Sequence, residues 1–413
     1  MNNNRKPRIN AHCHLFNYDF VPDDISKLLS KFPEKLTQKW IIKDGLPFIA
    51  KIWPGKSLNR LKSFFKTYSS KIEKVSSDYA NELSDANIDI YTPLLMNLEE
   101  ASTNEGKNQI KYQEQINLIS KEVAKYYWRI FPFVMFDPRS ATAFNDCKTA
   151  IEEKGYIGVK MYPALGYHPD PDIVGEIGIY GFENSTHKPD KLAAEQLRKL
   201  YSYCNKNKIP ITTHVTPGGS YSTKMHKNRE KYAWPLTEIS NWNNVLAKYE
   251  NLKINFAHFG GNSFSKKKDQ RILSRTWQRQ ILNLMFMYNK IDVSRIFTDL
   301  SFHDMAFKKT KKRYFELLKQ LLSHDKYKLY ILFGTDASMI SHTYSEKEYV
   351  DGFKKELTQI EEELIFSDNP TRFLFNNKKI PDNYINFLKR EAPEALNSIP
   401  DFIIENDSNY YVV

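Results

Sequence analysis

The chain has 413 residues, 41% of them hydrophobic and 14% aromatic, which excludes a disordered polymer and suffices for one large α/β unit or two smaller domains. Its formal charge of +11, from 60 Lys and Arg against 49 Asp and Glu, is densest at 265–276 and 308–313. Both stretches read as solvated faces of amphipathic helices, and without a nucleic-acid-binding motif beside them no nucleic-acid partner is expected.

No run reaches the roughly 18 consecutive apolar residues of a membrane span, and the N-terminal stretch lacks an apolar signal core. Cys13, Cys147 and Cys204 are too few for a disulfide framework, so a cytoplasmic protein without a membrane partner is expected. Taken in chain order, β-rich apolar runs occur at 8–14, 89–95, 130–136, 157–162, 209–215, 253–258, 295–302 and 329–335. Polar or amphipathic stretches separate them, the alternation of parallel strands with crossover helices. Apolar positions at helical spacing predict helices over 107–129, 190–207 and 311–323. The interval 17–88 is too long for one connection and has helical patterns around Trp40 to Trp53 and over 57–75, so a helical insertion after the first strand is expected. The connection 163–190, rich in Pro, Gly, Asp and His, suits an active-site loop, and 376–413 reads as a short C-terminal extension. Eight strand–helix units predict an α/β fold, a (β/α)8 TIM barrel forming a single domain over 1–413. Neither G-x-G-x-x-G nor G-x-x-x-x-G-K-[ST] follows any predicted strand, so no nucleotide motif supports an open doubly wound sheet.

The chemistry concentrates at strand ends. His12 and His14 lie two apart on the first strand and face the same way. Lys160 lies in the fourth predicted strand, His214 ends the fifth, His258 ends the sixth and Asp336 follows the eighth. Taken singly, His214 or His258 reads as a buried, satisfied histidine, Asp336 as a turn residue or helix cap and Lys160 as a structural ion pair. In a barrel all of them open onto the C-terminal face, where nitrogen and carboxylate donors suit zinc, manganese or another divalent transition metal. His168, His187, His226, His303, His324 and His342 read as surface or loop residues, with His168 kept as a candidate substrate contact.

The ordered set H-x-H, G-V-K-x-Y-P, T-H-x-x-P-G-G, A-H-F-G-G, G-T-D and N-P-T-R-F-L-F, from about His12 to Phe375, resembles the amidohydrolase superfamily. The resemblance is to the branch related to aminocarboxymuconate semialdehyde decarboxylase. It implies that His12, His14, His214 and Asp336 bind a divalent metal, that His258 is a catalytic partner, and that Asn369, Pro370 and Arg372 are structural. Lys160 is a further ligand candidate, because some branches carry a carboxylated lysine between two metals. One metal and an unmodified Lys160 are expected.

The expected reaction is hydrolysis of an amide, ester or lactone of a small molecule by metal-activated water, with Asp336 moving the proton and His258 contacting the substrate oxygen. The alternative is non-oxidative decarboxylation of an aromatic or enoic carboxylate, for which Arg139 and Tyr162 are candidate carboxylate-binding residues. A catalytically inactive binding barrel is the third reading, and a homo-oligomer is compatible with all three.

Overall fold

Alternation along each short strand sorts its side chains into two rows. Val159, Ile211, Ile254 and Ile296 are register partners in successive parallel strands, and so are Lys160, Thr212 and Asn255 one residue further on. The aliphatic row packs toward helices, while the polar row faces the barrel interior, where Asn255 Nδ2 donates to Asp299 Oδ2 at 2.7 Å.

A computed structural model of the chain describes residues 5–20, 69–101, 110–177, 190–217, 219, 221–222, 229–290, 294–337, 339, 341, 343–375 and 379–400. The strands are β1 (Ile9–Cys13), β2 (Ile90–Pro93), β3 (Phe133–Phe136), β4 (Gly158–Met161), β5 (Pro210–Thr213), β6 (Lys253–Phe256), β7 (Ile296–Asp299) and β8 (Ile331–Leu332). Each falls within one of the eight predicted runs. β1 pairs with β2, and β3 to β8 form one parallel sheet in chain order. Tyr91 N donates to Arg129 O at 2.8 Å and Leu95 N to Phe133 O at 3.0 Å, joining β2 to β3. Ala11 N donates to Phe333 O and Thr335 N to His12 O, both at 3.0 Å, joining the end of β8 to β1. The backbone hydrogen bonds thus run round a closed barrel.

One helix after each strand carries that strand's number: α1 (Ile72–Asp85), α2 (Tyr112–Lys125), α3 (Ala143–Glu153), α4 (Lys191–Asn207), α5 (Asn243–Lys248), α6 (Lys268–Tyr288), α7 (Lys311–Ser323) and α8 (Glu346–Lys354). α1 buries Ile72, Val75, Tyr79 and Leu83, and α7 buries Tyr314, Phe315, Leu318 and Leu322, the spacing of one face against a sheet. Sequence periodicity stops where caps take over. Asp190 accepts from Ala193 N at the start of α4, and a Ser345–Glu348 capping box opens α8. The basic stretches at the starts of α6 and α7 leave Lys266, Lys268, Lys309 and Lys312 exposed.

Parts of three expected intervals lie within the described residues. Residues 72–85, inside the interval expected as an insertion, are the crossover helix that feeds β2; 21–68 lie outside the described residues. The connection 163–190 carries a short helix at Pro171–Ile177, and 178–189 lie outside the described residues. Within 376–413, a helix at Asp382–Glu391 packs under the barrel, with Tyr384 stacked on Phe131 at 4.6 Å and its hydroxyl donating to Ile130 O at 3.1 Å.

The N-terminal end of the barrel is closed by Asn369–Leu374. Asn369 Nδ2 donates to Lys328 O and Ile331 O at 2.8 Å each, Arg372 Nη1 donates to Leu329 O at 3.2 Å, and Phe373 packs on Phe297 at 5.1 Å. Asn369 and Arg372 therefore hold the scaffold, as the motif implied. Among the described residues no helix is long and apolar enough to cross a membrane.

Candidate metal centre

Three departures from regular backbone gather side chains at the C-terminal end of the barrel. In β1 the register advances from Asn10↔Tyr91 to Cys13↔Pro93, three residues against two, so His12 sits in a bulge that re-aims its ring. Asp336 takes φ 59° while its N–H donates to His12 O at 2.8 Å. His258 takes φ 63° and Phe259 φ 44° immediately after β6. A left-handed conformation at a non-glycine residue costs about 1–3 kcal/mol and persists where surrounding contacts over-determine it. Close approach matters as well: a Cβ on Gly334 would stand 2.7 Å from His12 Cβ.

Each ring's partners fix its proton. His12 Nδ1 lies 2.9 Å from Asp299 Oδ2, and His14 Nδ1 lies 2.7 Å from Leu94 O. His258 Nδ1 lies 2.9 Å from Ser301 Oγ, whose own hydroxyl donates to Asp299 Oδ1. Carboxylate and carbonyl oxygens only accept, so all three rings carry the proton on Nδ1 and the lone pair on Nε2. The lone pairs of His12 and His14 converge. His14 Nε2 is 3.0 Å from Asp336 Oδ1, and His12 Nε2 is 3.3 Å from the same oxygen without a hydrogen bond. Ligand atoms of His12, His258 and Asp336 all lie within 4.8 Å of one another. Two imidazole lone pairs against one carboxylate oxygen in a buried site, with His258 beside them, leave a place for a cation, and this donor set fits a divalent metal.

The electrostatics agree. Burial pushes His258 down to about 3 and also lowers His14. Burial works to raise Asp336, but His12 and His14 at its oxygen outweigh it and hold the carboxyl well below its ordinary value. Burial likewise opposes charge on His12, yet Asp299 more than offsets it, so His12 sits above the ordinary histidine value. A proton on His12 Nε2 is the alternative to a metal as the cation between these groups. Lys160 is pushed down to about 8 by burial, partly opposed by Asp336 and Asp299.

His214 lies against His258. Its Nδ1 is 3.1 Å from His258 Nε2, and with the lone pair on His258 the proton on His214 donates. Tyr162 packs its ring on His214 at 4.0 Å, and Lys160 Nζ lies 5.7 Å from the Tyr162 ring. Arg139 is held by Asp137 at its Nε and Nη2 and by Leu165 O at its Nη1, an ion pair at the rim. His168 Nδ1 accepts from Asp170 N at 3.0 Å within its own loop.

Four residues with clear work here escaped the sequence reading. Asp299 and Ser301 orient two of the rings, Asn255 supports Asp299, and His303, expected on a surface or loop, is buried beneath His258. The signal for Asp299 was its place at the end of β7, the same kind of position that marked His214 and Asp336.

A family model described as amidohydrolase matches residues 9–375. No curated protein matches the chain. Among solved structures, the chain is similar to a 5-carboxyvanillate decarboxylase from Novosphingobium aromaticivorans with bound manganese and 3-methoxy-4-hydroxy-5-nitrobenzoic acid. The two are 11% identical with a TM-score of 0.52, over 89% of this chain and 97% of that one. It is also similar to a probable 2-pyrone-4,6-dicarboxylic acid hydrolase from Acinetobacter baumannii with citric acid bound, at 13% identity and TM-score 0.50 over 89% and 98%. A 2,6-dihydroxybenzoate decarboxylase complexed with 2,6-dihydroxybenzoate aligns at 12% identity and TM-score 0.50 over 90% and 99%. At these identities the likeness is one of fold.

Proposed function

Because the chain belongs to the amidohydrolase family, we propose that its histidine–carboxylate cluster holds one divalent ion, zinc by preference, and hydrolyses an amide, ester or lactone of a small molecule. The family makes it an enzyme, a hydrolase or a carboxy-lyase, of a kind that works with divalent metal. The observation that carries the proposal is the meeting of His12 Nε2 and His14 Nε2 at Asp336 Oδ1 with both ring protons turned away, beside His258. In this reading His12, His14 and Asp336 are ligands, and His214, whose Nε2 keeps its lone pair when Nδ1 donates to His258, completes the set.

When bound, such an ion supplies activation of water at neutral pH and polarisation of a carbonyl. Asp336, ionised well below neutrality, accepts the proton from the attacking water and returns it to the leaving group. His258, neutral at physiological pH, accepts the Nδ1–H of His214 and so sets the orientation of the His214 ring. Lys160 stays unmodified on the barrel floor, and Tyr162 walls the site beside His214. His168 and Arg139 shape the rim.

One observation favours a second reading. Lys160 is a buried cation within electrostatic reach of Asp336 and Asp299, and it could pair with the carboxylate of an aromatic or enoic acid before decarboxylation. Elemental analysis counts the ions, with one per chain expected. His12→Ala and His14→Ala should lose the metal while the barrel remains folded; full metal content in either removes that residue from the ligand set. A screen of amides, lactones and aromatic carboxylates, repeated in oxygen-18 water and in deuterium oxide, separates the reactions. Water oxygen in the product is the expected result. Carbon dioxide release with deuterium on carbon would replace hydrolysis by decarboxylation.

A further inference from the structure

The chemistry above makes no use of His303, a buried imidazole just beyond β7. It lies against the most unusual piece of backbone at the site: His258 (φ 63°, ψ 14°) and Phe259 (φ 44°, ψ 48°), followed by Gly260 and Gly261 at φ 69° and 94°. The glycines accept that conformation readily, whereas the two larger residues must be held in it.

The grip on His258 is a main-chain one. Its N–H donates to Asp299 Oδ1 at 3.0 Å, and its carbonyl accepts from Gly261 N at 2.8 Å and from His303 Nε2 at 3.0 Å. Because a carbonyl only accepts, His303 carries its proton on Nε2, and Nδ1 accepts the Tyr314 hydroxyl at 2.8 Å. The His303 N–H donates to the Tyr349 hydroxyl at 2.8 Å, which in turn donates to Leu300 O at 2.8 Å. A line of hydrogen bonds therefore runs from Tyr314 on α7 through one imidazole to the peptide that aims His258.

We propose that His303 is a positioning residue: its Nε2–H locks the left-handed turn so that the His258 ring stays in the cluster with His12 and Asp336, and it thereby sets the affinity and coordination geometry of the bound ion. The proposal rests on the metal-centre reading above. If His303 only filled space, a phenylalanine would serve as well; if it holds the turn, the N–H donor is what matters.

The test uses the full chain, stripped of metal by a chelator and titrated with Co²⁺, with binding followed by visible absorption and the Tm of the metal-free protein recorded alongside. His303→Phe should bind Co²⁺ roughly 10-fold more weakly, the low end for loss of a group that orients a ligand, and with an altered absorption envelope. His303→Gln, which offers an amide N–H, should recover both affinity and envelope. Wild-type affinity and spectrum in the Phe variant, or a Gln variant no better than Phe, overturns the proposal. Should the Phe variant fail to fold, His303→Asn, too short to reach the carbonyl, takes its place with the same criterion. His12→Ala separates the two levels of inference. If it binds Co²⁺ as wild type does, the metal-centre reading falls; if it loses Co²⁺ while the His303 variants do not, only the positioning role falls.

Discussion

Asp299 is a carboxylate surrounded by donors: His12 Nδ1, Asn255 Nδ2, and the backbone N–H groups of His258 and Ser301 all point at it. Asp299→Asn must turn an amide NH₂ toward at least one of them and removes the charge that orients His12. Zinc affinity should fall by roughly 10- to 100-fold, read by competition with a chromophoric chelator, and an unchanged affinity would show that His12 needs no such partner. Glu346 is a different buried acid, bonded to Thr335 Oγ1 at 2.8 Å and Asn10 Nδ2 at 3.2 Å. Burial, reinforced by Glu82, pushes it up from 4.5 to about 8. The folded chain therefore keeps a proton that the unfolded chain releases between those values, so this group's contribution to stability falls as pH rises from about 4.5 to about 8. Glu346→Gln should remove that slope. Urea midpoints of wild type and variant should differ little near pH 5, with the variant gaining on wild type by pH 8.5; parallel curves would contradict the assignment. At this scale the sequence exposed His12, His14, His258 and Asp336 because histidines are few and strand ends are legible. Asp299 shares their strand-end position but lies in F-T-D-L-S-F, which belongs to none of the ordered motifs, and His303, in a polar turn, carries no periodic mark.

Among the elements, β8 shows how tightly the site is built. It is only two residues long, and beyond it Gly334 lets the backbone pass His12, where a Cβ would meet His12 Cβ at 2.7 Å and Ser301 Cβ at 3.2 Å. Gly334→Ala should cost about 1–3 kcal/mol by overpacking and weaken metal binding with it. Chemical denaturation and metal titration of the same preparation test both, and wild-type values in each would mean that the seam can shift. The eight strands were legible because a strand covered on both faces is an apolar run bounded by polar residues. Less legible were the departures from regularity. The β1 bulge and the left-handed turns at His258 and Asp336 arise from contacts with β2, β7 and β1 that no local pattern encodes. For the same reason α1 was absorbed into the expected insertion: its apolar face is clear, but which strand it serves is a matter of tertiary packing.

At the scale of the molecule, the two ends of the barrel do different work. Phe373 plugs the N-terminal end against Phe297 and Phe133, far along the barrel from the histidines. Phe373→Ala should cost about 3–5 kcal/mol, seen as a lower Tm, while the molecules that remain folded keep full metal content. Loss of metal in step with stability would mean that the ends are coupled. The seam between β8 and β1 also has a consequence in time. Asn10 and Thr335, bonded across it, are 325 residues apart, so the histidine pair is made long before its carboxylate. At about 5–20 residues per second, the two proposed histidine ligands wait on the order of 16 to 65 s for the proposed carboxylate ligand. If the proposed set holds the ion, no nascent fragment can bind it with both, and the choice of metal falls to the closed barrel rather than to the growing chain.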